Sequence, residues 1–73
     1  MEYQGHPTKA HWNVALWIGS DEPLYRLAMD TLRREPNTLI AARKMVDMLP
    51  NSTPDGVRYT VTTVRHALRC LKD

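Results

Sequence analysis

The sequence predicts an all-α fold, a compact bundle of four short helices with an N-terminal extended arm. Three observations carry that prediction. Apolar residues recur at three- and four-residue spacing in successive segments, as the buried face of a helix requires. Residues that start or stop helices bound those segments: Thr8, Ser20, Pro23, Pro36, Asn37 and Pro50. The one run that alternates like a strand has no second run to pair with.

The first eight residues contain Gly5 and Pro7 and show no period, so they read as a flexible N-terminal arm ahead of a single helical domain over 9–73. Thr8 is placed to cap a first helix built on His11-Trp12-Asn13-Val14-Ala15-Leu16-Trp17-Ile18, with Gly19 at its C-terminal end. That block is apolar nearly all round. It is therefore expected to be the central, most buried element, with Trp12 and Trp17 in the core.

Ser20-Asp21-Glu22-Pro23 predicts the next helix start: a hydroxyl cap, a proline in the first turn and two carboxylates near the positive end of the helix dipole. Leu24, Leu27, Ala28, Thr31 and Leu32 then share a stripe, with Tyr25 and Met29 just off it, and Pro36 ends the run. Asn37 or Thr38 caps a third helix whose inward residues are Leu39, Ala42, Met45, Val46 and Leu49, stopped by Pro50. Residues 50–59 form the one long loop, organised around Pro54-Asp55-Gly56. The fourth helix sets Val61, Val64, Leu68 and Leu71 on one stripe and Thr62, Arg65, His66, Arg69 and Lys72 on the opposite face.

Seventy-three residues are close to the lower limit for a domain held by one apolar core. The single cysteine, Cys70, excludes an internal disulfide, so stability has to come from helix packing. A composition of 42% hydrophobic and 25% charged residues is that of a globular chain. No apolar run approaches the roughly 18 residues of a membrane span, and no signal-peptide pattern opens the chain. A cytoplasmic protein is expected.

The net charge of +2 is unevenly spread. Residues 1–36 carry four basic and five acidic side chains, whereas residues 37–73 carry six and three. That asymmetry suits an acidic partner.

Catalysis and metal binding find little support in the spacing. No Gly-rich phosphate loop or Ser/His/Asp arrangement is present, and Asp21 and Glu22 are explained by a helix start, so the chain reads as non-enzymatic. His6, His11, His66 and Cys70 are the candidate soft ligands, but they lack the close cysteine pairs of a structural zinc site. No metal and no cofactor are expected.

Binding is the remaining class. In a helix-turn-helix reading, Arg58, Tyr59, Thr62, Arg65 and His66 would meet phosphates and base edges, although about ten residues separate the helices where that motif uses three or four. In a protein-recognition reading, Tyr3, His6 and Lys9 of the arm join Tyr25, Met29, Tyr59, Arg65 and Arg69, residue types enriched at interfaces. The combined partner-binding set is Tyr3, His6, Lys9, Arg58, Tyr59, Thr62, Arg65, His66 and Arg69.

The block His11–Ile18, the start Asp21-Glu22-Pro23-Leu24-Tyr25, the Thr53-Pro54-Asp55-Gly56 turn and the closing Val64-Arg65-His66-Ala67-Leu68-Arg69 together resemble a family of very small phage and mobile-element proteins, mostly without assigned function. The match covers about residues 8–71. In length and helical build the chain is also similar to small phage-encoded transcription regulators that bind host RNA polymerase. That resemblance implies a monomer in the host cytoplasm contacting the β′ N-terminal segment and the β flap, blocking initiation by interfering with σ factor and promoting antitermination. Two alternatives stay open: a helix-turn-helix DNA-binding regulator, and an inhibitor of another host (defence) complex.

Overall fold

The computed structural model describes residues 6–72. Four helices follow one another: α1 (Lys9–Ser20), α2 (Glu22–Arg34), α3 (Thr38–Met48) and α4 (Val61–Lys72). Among the described residues an isolated antiparallel bridge pairs Ser52 with Arg58. The all-α bundle expected from the periodicity is the fold.

Local chemistry sets the helix boundaries. Thr8, in extended backbone, accepts the His11 N–H on its Oγ1 at 3.2 Å and opens α1. Asn37 Oδ1 accepts from both Leu39 and Ile40 N–H, at 3.0 and 3.2 Å, and opens α3. At α4, Thr60 Oγ1 accepts the Thr63 N–H while Thr63 Oγ1 accepts the Thr60 N–H, each at 3.1 Å. This is a reciprocal capping box with threonine in the place usually held by Glu or Gln.

The α1–α2 junction differs from the expectation. Ser20 is the last residue of α1, and Asp21 rather than Ser20 caps α2, accepting the Leu24 N–H on Oδ2 at 3.2 Å. The Asp21 N–H also closes α1 by donating to the Trp17 carbonyl at 2.9 Å. One carboxylate-bearing residue therefore ends one helix and starts the next, and Gly19 stays within α1.

Packing gives α4 the central role that the sequence assigned to α1. α4 lies between α1 and α3, which do not meet, and α2 touches all three. Val64, Ala67 and Leu68 of α4 are sealed from solvent against Val14 and Ile18 of α1, Ala28 and Leu32 of α2, and Ala41, Ala42 and Met45 of α3. Alanines at 41, 42 and 67 leave no bulk where α3 and α4 approach. α1, with neighbours on only part of its circumference, leaves Leu16 42% exposed and Trp12 and Trp17 only partly buried. The expectation that both tryptophans lie in the core is corrected accordingly.

The long loop is an ordered hairpin. Thr53 N–H donates to Val57 O at 2.8 Å and Tyr59 N–H to Asn51 O at 3.1 Å, with Pro54-Asp55-Gly56 at the tip. Gly56 has φ +86°, a left-handed conformation that glycine adopts without steric cost. The returning arm of the hairpin carries Tyr59 inward, where it is 5% exposed and part of the core. Tyr59 is thus buried in the core rather than on the exposed surface where the sequence reading set it. Its extended backbone, outside any helical period, hid that burial from the sequence.

Candidate functional site

Two polar clusters lie on different sides of the bundle. The first holds the hairpin. Asp55 Oδ2, at its tip, accepts from Asn13 Nδ2 at 2.8 Å and from Trp17 Nε1 at 2.9 Å. Asn13, buried despite its amide, also accepts from Thr53 Oγ1 at 2.8 Å, and Thr53 Oγ1 accepts the Val57 N–H at 3.1 Å. Asn13 and Trp17 are one helical turn apart, and Lys9, one turn before Asn13, lends its charge to the same carboxylate. The Asn13 amide, then the Trp17 indole, hold the Asp55 carboxyl below the usual carboxylate range.

The second cluster is a cleft of about 280 Å³. Thr62, Arg65, His66 and Arg69 of α4 form its floor and wall, spaced three and four residues apart so that they share one face. His11 of α1, Leu39 in the first turn of α3 and Pro7 close its edges. Among the described residues, no carboxylate lines it. Arg58, Arg65 and Arg69 are exposed and make no ion pair among the described residues, whereas Arg26 is held by Glu22 at 2.6 Å and Arg34 by Asp30 at 3.4 Å. Lys72 turns away from the cleft and donates to the Pro36 carbonyl at 3.0 Å, tying the end of α4 to the α2–α3 link.

One end of the cleft is a knot of imidazoles. His6 Nδ1 lies 2.7 Å from His66 Nε2, so one nitrogen donates and the other accepts. The His6 and His11 rings meet the His66 ring edge-on, with centroids 5.0 and 5.1 Å away. His11 Nδ1 is 2.7 Å from Thr8 Oγ1, and Cys70 Sγ is 3.7 Å from His66 Nε2. Burial first, then the neighbouring His11, His6 and Arg69, pushes the His66 pKa down and keeps its ring neutral at neutral pH.

Of the residues the sequence singled out for binding, His6, Thr62, Arg65, His66 and Arg69 converge on this cleft and its imidazole knot. Lys9 instead belongs to the ridge facing Asp55, Arg58 stands on the hairpin opposite Ser52, and Tyr59 is in the core. Tyr3 lies outside the described residues. His11 and Cys70 are site residues that the sequence offered only as rejected metal ligands. His6 and His66 are sixty positions apart, and no local spacing announces their contact.

Fold and site define a small all-α domain whose last helix carries a cationic cleft with no ion-paired arginine among the described residues. The chain belongs to DUF7249, a family of unknown function, which it matches over residues 1–69. No curated protein and no solved structure matches it.

Proposed function

We propose that this chain is a non-enzymatic docking protein whose α4 cleft engages an acidic region of a larger macromolecular assembly. The supporting observation is a contrast among its arginines: Arg26 and Arg34 of α2 are paired with neighbouring carboxylates, while Arg65 and Arg69 flank a cleft lined by no carboxylate among the described residues. A concave surface of one sign concentrates its field and speeds encounter with the opposite charge. A stable complex buries about 800 Å² on each partner. For this chain, with 4798 Å² of accessible surface, that is roughly a sixth of the total.

The partner we propose is host RNA polymerase, by the resemblance to small phage-encoded transcription regulators, at the β′ N-terminal segment and the β flap. Interference with σ factor and antitermination would follow. The DNA-binding alternative is weakened by two features. Tyr59 is withdrawn into the core, and an ordered hairpin replaces the short turn of a helix-turn-helix.

The test combines size-exclusion co-elution with core polymerase at about 150 mM salt and promoter-directed transcription, each repeated with duplex DNA alone. Co-elution and loss of initiation, both abolished by Arg65→Glu with Arg69→Glu, are expected. Retention of duplex DNA without affinity for polymerase would replace this reading with the DNA one. Binding to neither would leave an inhibitor of another host complex as the reading to pursue.

A further inference from the structure

The imidazole knot gathers three potential metal ligands from two chain segments far apart in sequence. His6 Nδ1, His66 Nε2 and Cys70 Sγ all lie within 4.8 Å of one another. His66 and Cys70 are one helical turn apart on α4, and His6 reaches them from the segment ahead of α1. We propose that His6, His66 and Cys70 form a binding site for a borderline-soft divalent transition metal, zinc in the first instance, which clips the N-terminal segment to α4.

Distances and chemistry agree with that assignment. Tetrahedral zinc, bonded at about 2.0 Å to imidazole and about 2.3 Å to thiolate, sets two ring nitrogens about 3.3 Å apart and a nitrogen and a sulfur about 3.5 Å apart. His66 Nε2 and Cys70 Sγ are already 3.7 Å apart. His6 Nδ1 and His66 Nε2, at 2.7 Å, must open by about 0.6 Å, a small side-chain adjustment. A pair of imidazoles and one thiolate suits zinc and its neighbours in the first transition row, while calcium and magnesium want oxygen.

Three protein ligands leave the fourth tetrahedral position to water. Cys70 is exposed, so a metal has a path in. The physical return is also plain: a small domain without disulfides gains from a metal that joins its two ends.

The probe is Co²⁺, added to the whole chain under a non-coordinating phosphine reductant, followed by competition with Zn²⁺. A thiolate-to-cobalt charge-transfer band in the near ultraviolet is expected, with visible d–d bands of tetrahedral intensity that Zn²⁺ abolishes. Cys70→Ser removes the charge-transfer band. His6→Gln, which leaves the core untouched, should weaken binding by more than about 100-fold, since losing even an outer partner of a ligand costs 10- to 100-fold. Zinc at a hundredfold excess over its Kd should raise Tm by about 10 °C in the native chain and leave His6→Gln close to its metal-free value.

Absence of the charge-transfer band in the native chain, or a band of undiminished affinity in His6→Gln, would overturn the site. The readout involves no partner, so its failure leaves the docking proposal standing, and loss of docking says nothing against the metal.

Discussion

At the hairpin, the Asp55 carboxylate accepts from Asn13 and Trp17 while the Asn13 carbonyl accepts from Thr53, so each of these polar groups is answered within the chain. At the α4 cleft, Arg65 and Arg69 stand in solvent with no carboxylate among the lining residues. The hairpin cluster is a device for folding: it fastens a loop that helical periodicity cannot hold. The cleft adds nothing comparable to stability and leaves its charge available. A chain near the size limit for a stable domain is expected to neutralise its charges where it can, as α2 does with Glu22 and Asp30. At the cleft, unlike at Arg26 and Arg34, two arginines share one concave face with no paired carboxylate among the described residues.

That contrast yields a graded set of expectations. The largest effect falls on Asn13→Ala, which deletes a buried amide, strands the Thr53 hydroxyl and removes one donor to Asp55. A loss of about 3 kcal/mol is expected from urea unfolding, a large share of the stability of so small a domain. An unchanged midpoint would mean the hairpin is not fastened through Asn13. Next comes Gly56→Ala. Nothing lies within 4 Å of an added Cβ, so the cost is purely that of φ +86° for a non-glycine residue. About 1 kcal/mol, read as a Tm lowered by several degrees, is expected.

The pH dependence should be smaller and has a definite sign. Because hydrogen bonds from Asn13 and then Trp17 lower the Asp55 pKa in the folded state, the Asp55 contribution is complete above the unfolded value near 3.9. It fades as pH falls through the lowered folded value. Between about pH 5 and about pH 3 the native urea midpoint should therefore fall further than that of Asp55→Asn. Equal slopes for the two proteins would detach Asp55 from stability.

How much of this was readable in advance follows from the range of each signal. Thr8, Pro23, Asn37 and the α4 stripe were legible because caps and helical periods act within a few residues. The Asp21 cap was misplaced by one position because Ser20 and Asp21 are both good caps, and only the course of the backbone chooses between them. Tyr59 was read as a surface contact because its burial depends on how the hairpin returns, which no period encodes. Asn13 sat unnoticed in an apolar block, its partners forty and more residues away. The imidazole knot failed to show for the same reason: His66 and Cys70 are visible as a pair on one helix, but His6 joins them only through the fold.

The sharpest single measurement pairs stability with binding in one variant. Arg65→Glu with Arg69→Glu should leave the urea midpoint within about 0.5 kcal/mol of native, because neither arginine has a partner among the described residues to lose. The same variant should lose capture by core RNA polymerase altogether. A large drop in stability, or capture as strong as that of the native chain, would contradict the claim that this face is kept for a partner.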